Sequence, residues 1–101
     1  MYKLRYLPLA QKDLAAIVAG LAGPQQAPPT AADFVADLAA ALRQLQQNPH
    51  ANRVYQPLKP LDREYRVLSV NNCHLLYTIK KDALEIHRAI LLRSERREVR
   101  G

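Results

Sequence analysis

Few residues in this 101-residue chain are able to do chemistry near neutral pH: one cysteine, Cys73, and three histidines, His50, His74 and His87, beside a surplus of arginines. Cys73 directly precedes His74. On a strand, neighbours point to opposite faces, so the two cannot act as a thiolate–imidazole pair, and Cys73 reads as a small buried residue. The three histidines show no metal-ligand spacing, and the chain has neither a glycine-rich phosphate loop nor a nucleophile elbow; no cofactor and no metal is expected. What remains is a group suited to a phosphodiester: His74 and His87 as acid or base, with Arg66, Arg93, Arg96 and Arg97 to meet the charge that develops on phosphate oxygens. Against this stands a plainer reading, in which the two histidines are hydrogen-bonded surface residues of neighbouring strands.

The stretch that would position this group runs from Arg63 to Leu92. Three segments there, residues 64–70, 73–80 and 84–92, are rich in β-branched and aromatic residues, among them Tyr65, Val67, Val70, Tyr77, Thr78, Ile79, Ile86 and Ile90. Asn71-Asn72 and Lys81-Asp82 separate them, turns too short to do more than reverse direction. The pattern predicts an antiparallel meander. Strict alternation places Leu75, Tyr77 and Ile79 on one side of the second strand, and Leu84, Ile86, Ile90 and Leu92 on the same side of the third. The other side takes His74, Leu76, Thr78, Glu85, His87, Ala89 and Arg93, with Arg66 as the nearest cation on the first strand. One face is thus apolar and the other cationic and histidine-bearing, open to solvent or a partner. Arg88 falls on the apolar side, which requires a bulge or a paired charge.

The chain before this stretch must cover the apolar face. Tyr2, Leu4 and Tyr6 alternate with Lys3 and Arg5, a half-buried strand that Pro8 ends. From Leu9 a helix follows with Leu14, Ile17, Val18 and Leu21 on one stripe, and with Asp13 near the positive end of its dipole. Gly20 and Gly23-Pro24 close it. Residues 23–29 carry three prolines and form a linker. Thr30 is expected to cap a second helix, with Asp33 completing an approximate capping box. Phe34, Leu38, Ala41, Leu42 and Leu45 form its stripe, and Asn48-Pro49 stops it. Residues 50–61, with Pro57 and Pro60, cross back to the meander. The order strand, helix, helix, three strands defines an α+β domain whose helical hairpin packs on one face of the sheet; where the first strand joins that sheet is not written locally.

Length allows one domain, residues 1–101, with one core. An apolar fraction of 49% is ordinary for a globular protein. The lone cysteine excludes an internal disulfide and fits a reducing compartment. No apolar run approaches the roughly 18 residues of a spanning helix, and the chain opens with a strand pattern rather than a signal peptide, so a cytoplasmic location without membrane contact is expected. Fifteen Lys and Arg against nine Asp and Glu give +6, with Arg88, Arg93, Arg96, Arg97 and Arg100 crowding the end. Such a surplus attracts polyanions or an acidic partner, or simply keeps the surface solvated.

Taken together, Tyr2-Lys3-Leu4-Arg5-Tyr6 with Pro8 and Ala10, then Asp13-Leu14 and Ile17, a second helix from Ala31-Ala32 to Leu45 and Asn48-Pro49, and finally Tyr65-Arg66-Val67-Leu68, Leu75-Leu76-Tyr77 and Ile86-His87-Arg88-Ala89-Ile90 resemble the RelE/ParE superfamily of bacterial toxins. The likeness covers almost the whole chain. It implies the toxin of a type II toxin–antitoxin pair, held inactive by a cognate antitoxin that wraps it, with a homodimer or a heterotetramer with antitoxin as candidate assemblies. RelE-like members cut messenger RNA on the ribosome, whereas ParE-like members poison DNA gyrase and are not nucleases.

The ribonuclease pattern carries over only in part. Arg66 stands where a strand lysine is expected, Leu68 replaces the next cation, His74 occupies the place of an arginine, and Arg100 stands where a catalytic tyrosine would be. An arginine does not donate a phenolic proton. Histidine-based variants exist within the superfamily, so His74 and His87 are the compensating candidates. The helical hairpin with its proline-rich link, Asn48-Pro49, and Arg88 and Arg93 lean toward the ParE-like side and a plasmid-stabilising growth inhibitor. A third reading is a degenerate member that binds antitoxin without toxicity.

Overall fold

A computed structural model describes residues 1–21, 28–56 and 63–92. Strand β1 (Lys3–Tyr6) leads into helix α1 (Pro8–Leu21), helix α2 (Pro28–Gln47), a single 3-10 turn at Pro49–Ala51, and the strands β2 (Arg66–Val70), β3 (Cys73–Lys80) and β4 (Ala83–Leu91). The α+β order is therefore the one read from the sequence. β2, β3 and β4 form the antiparallel meander, and β1 joins it as a parallel neighbour of β4, giving the order β1-β4-β3-β2 in one mixed sheet. A parallel edge strand needs a long crossover, and the helical hairpin together with the meander supplies it.

Local chemistry explains the element ends. Pro8 and Pro28 each sit at the first residue of a helix, where a missing N–H costs nothing. Because α2 opens at Pro28, Thr30 lies inside its first turn and is not the cap that the Thr30–Asp33 spacing suggests. Asp13, too, departs from expectation: it lies beyond the first turn of α1, and its carboxylate serves the sheet instead of the helix dipole. Both hairpin turns use a positive φ, at Asn71 (54°) and Lys81 (42°). Residues 23–27 of the expected linker and 57–61 of the crossing segment lie outside the described residues, whereas Pro28 and Pro29, expected in the linker, already belong to α2.

The core forms where the helical stripes meet the sheet: Ala10, Ile17, Phe34, Leu42 and Leu45 from the helices close on Leu68, Val70, Cys73, Leu75, Tyr77, Leu84, Ile86 and Ala89. Leu45, Leu75, Tyr77, Leu84 and Ile86 are completely or almost completely enclosed. At about 1.5–3 kcal/mol per buried large side chain, this cluster is the main source of stability. The end of α2 is also tied to the N-terminus: the Tyr2 N–H donates to the Gln46 carbonyl at 3.0 Å, and Gln46 Nε2 returns a bond to the Tyr2 carbonyl at 2.9 Å.

The face assignment of β4 needs correction beyond its midpoint. Tyr77 pairs with Ile86 but Leu76 pairs with Arg88, so His87 is the extra residue of a β-bulge. Past it the alternation inverts. Ala89 turns into the core, while Ile90 is left 46% exposed and Leu92 38% exposed, the reverse of what strict alternation predicts for all three. Both remedies foreseen for Arg88 are present, because the bulge is accompanied by a paired charge.

The candidate site on the outer sheet face

The bulge positions the most distinctive polar group of the molecule. His87 projects onto the face away from the helices, where its Nε2 lies 2.9 Å from Thr78 Oγ1. Tyr65, just before β2, lays its ring edge-on to the imidazole with centroids 5.0 Å apart. Burial holds the His87 pKa below the ordinary histidine value, partly offset by the nearby Glu85 carboxylate. The ring is accordingly neutral at neutral pH and fixed on both sides.

Arg88 pairs in register with Leu76 and so starts from the same outer face, and its side chain reaches α1. Its Nε donates to Asp13 Oδ2 at 2.7 Å and its Nη2 to Asp13 Oδ1 at 3.1 Å, a bidentate pair between β4 and α1. The same carboxylate accepts the Ala89 N–H at 3.0 Å. That N–H points to the edge of β4 left bare where β1 ends, so Asp13 caps a strand edge. Bonding to Arg88 in particular holds the Asp13 carboxyl below the usual carboxylate range.

Between these two side chains opens a largely apolar groove of about 470 Å³, lined by Leu7, Pro8, Leu9, Tyr65, Leu76, His87 and Arg88. Leu9 is 54% exposed at its rim. With Ile90 and Leu92 also exposed, the outer face carries more apolar surface than the cationic face predicted by alternation. Its charges lie at one end, where Glu85 stands 3.8 Å from Arg5 and 3.6 Å from Lys80. No signal in the alternating pattern points to this groove, since it depends on the bulge and on Leu7-Pro8-Leu9 meeting β4 across the parallel seam.

The residues singled out for phosphodiester chemistry do not all converge. His74 is half-buried on the outer face between Ser69 and Ile90 of the flanking strands, with Leu76 separating it from the Thr78–His87 pair. Arg66 pairs in register with the core residue Tyr77 and so belongs to the opposite side, at the end of the sheet. Its guanidinium donates to the Asn52 carbonyl at 2.6 Å and the His50 carbonyl at 3.3 Å, and meets Glu64 at 3.0 Å. Tyr77 reinforces the clasp by donating its hydroxyl to the Pro49 carbonyl at 2.6 Å. Arg93, Arg96 and Arg97 lie outside the described residues. Among the described residues no group of His, Cys, Asp and Glu is arranged to hold a metal ion, and no helix is long and apolar enough to cross a membrane.

Cys73 is wholly enclosed, and burial, followed by the charge of Asp13, pushes its thiol up to about 11. It is a core residue and not a nucleophile.

Comparison with known proteins places this geometry. A search of curated proteins finds no match. Among solved structures, a chain described as the chromosomal ParDE TA system from P. aeruginosa superposes with a TM-score of 0.70 at 21% identity, over 92% of this chain and 98% of that one. At that identity the likeness speaks for the fold. The family model for the ParE toxin of the type II toxin–antitoxin system parDE matches residues 4–97, from the first strand to beyond the meander. On that match the chain belongs to the ParE toxin family of type II toxin–antitoxin systems.

Proposed function

We propose that the protein is a growth-inhibiting toxin that acts on DNA gyrase and is held inactive by a cognate antitoxin. The observation that carries this reading is the family match over residues 4–97. The surface supports the antitoxin part: a chain of net charge +6 that exposes Leu9, Ile90, Leu91 and Leu92 suits an acidic partner with apolar anchors.

The gyrase part is favoured over messenger cleavage by the state of two of the candidate residues. Arg66 is engaged in holding the segment around Asn52, and His87 is locked between Thr78 and Tyr65. A general acid that must reach a ribose or a leaving oxygen needs a free donor. The runner-up, a ribosome-dependent nuclease using Arg66, His74, His87, Arg93, Arg96 and Arg97, stands on His74 as its least constrained imidazole.

One set of assays separates the readings. Purified protein added to gyrase should suppress supercoiling of relaxed plasmid while leaving messenger intact on translating ribosomes. Cut messenger that disappears with His74→Ala would instead establish the nuclease. Unimpaired growth on expression without any antitoxin would leave only a binding module.

A further inference from the structure

The groove between Leu9 and Leu76 has one wall that changes charge near physiological pH. Its lining is aliphatic at Leu7, Pro8, Leu9 and Leu76 and aromatic at Tyr65, and Arg88 is held by Asp13, which leaves His87 as the side chain that gains or loses a proton there. The bulge puts it in that wall. As the extra residue of β4, His87 is aimed at the outer face, and Thr78 Oγ1 at 2.9 Å and the edge-on Tyr65 ring hold it in place.

Its surroundings resist a charged ring. On β3 it meets Thr78 and the field of Lys80, on its own strand Glu85 and Arg88, and ahead of β2 Tyr65 and Arg63, while α1 contributes Asp13 through Arg88. Burial disfavours the imidazolium most; Glu85 opposes that effect, and Arg63 and Lys80 add to it. An apolar group seated in the groove strengthens the effect, because it displaces the water that solvates the charged ring and offers no hydrogen bond in return.

We infer that this groove docks a large apolar side chain from an acidic partner segment, and that protonation of His87 closes the groove to it. The lining selects the anchor, and the volume of about 470 Å³ falls among the roughly 300–1,000 Å³ of sites that enclose small ligands. The chain's net charge of +6 attracts acidic flanks and opposes a second copy of itself, which carries the same charge. The inference rests on the reading that an acidic partner holds this chain, and adds where the partner is anchored and what releases it. Linkage gives the sign. The free ring titrates below the ordinary value of 6.5 and the covered ring lower still, so affinity is level above about pH 7 and falls as pH drops through the free value, by up to about tenfold per pH unit, the limit for one proton.

The probe is a neutral peptide, acetyl-Gln-Leu-Trp-Leu-Gln-amide, whose tryptophan fluorescence is unmixed because the chain has no tryptophan. Titrations of full-length protein between about pH 8 and about pH 5 should show a dissociation constant that is level down to about pH 7 and rises below it. His87→Gln, which keeps a hydrogen-bonding side chain but does not titrate, should give a level profile. Leu9→Ala, at the exposed rim, should weaken binding by at least about threefold at every pH and leave the slope unchanged. In the unsubstituted protein, the His87 ring proton followed by NMR should titrate at lower pH with peptide than without. Exchanging the two glutamines of the peptide for glutamates should tighten binding in low salt at neutral pH, a gain lost in 1 M salt. No saturable binding at millimolar peptide, a level profile in the unsubstituted protein, a pH dependence that survives His87→Gln, an unmoved His87 titration, indifference to Leu9→Ala, or no gain from the glutamates would each overturn the proposal. Neither gyrase nor antitoxin enters the assay, so failure to inhibit supercoiling removes the gyrase reading alone, and a level profile removes this inference alone.

Discussion

At the scale of single residues, the side chains that looked reactive in the sequence are governed by burial and pairing. Cys73 has no exposed surface, and its thiol is pushed up to about 11. Native protein should therefore react with a maleimide at pH 8 far more slowly than protein unfolded in urea, with the ratio of the two rates as the readout. Asp13 ties α1 to β4 through Arg88 and the Ala89 N–H, and its folded-state pKa lies below the unfolded value. The unfolded chain therefore takes up this proton first as pH falls. The stabilisation is fully present above about pH 4 and is lost as pH drops through the lower folded value. Urea midpoints measured from about pH 5 down to pH 2 should fall less steeply in Asp13→Asn, whose stability is already reduced at neutral pH. That Cys73 is buried was legible from its place in a strand. The pairing of Asp13 with Arg88 was not, because 75 residues separate them and nothing local links an acid on one helix to one arginine among many.

At the scale of elements, strands and helices were readable because each carries its own period. The apolar stripe of α2 and the alternation of β3 both predict the residues that the structure buries, such as Phe34, Leu42, Leu45, Leu75 and Tyr77. The bulge at His87 was not readable beyond the misfit of Arg88, since an extra residue is defined only against a partner strand. A single residue there inverts the faces of Ala89 and Ile90 and so decides what the outer sheet surface presents. The 3-10 turn at Pro49–Ala51 shows how an irregular segment is held. Tyr77 bonds to the Pro49 carbonyl and accepts from Asn52, while Arg66 bonds to the carbonyls of His50 and Asn52. Tyr77→Phe leaves the Pro49 carbonyl and the Asn52 amide without these partners. It should cost about 1–3 kcal/mol, seen as a lower denaturant midpoint with an unchanged slope.

For the molecule as a whole, net charge and exposed apolar surface set the expected behaviour toward a partner. If an acidic antitoxin docks on this chain, its association rate should fall steeply from low salt toward 1 M, where screening acts within roughly 3 Å. Its dissociation rate should change little, because apolar anchoring is not screened, and stopped-flow mixing at several salt concentrations separates the two. The amino-acid sequence alone determined the class of fold, the helical hairpin, the meander and the family, because propensity, periodicity and turn chemistry are local and need no partner to be expressed. Only the tertiary structure decided that β1 runs parallel beside β4, that Arg66 and His87 stand on opposite sides of the sheet, and that the groove beside β4 is apolar. Those outcomes rest on contacts between residues far apart in the chain, whose register is fixed when the core closes and not by any neighbouring residue.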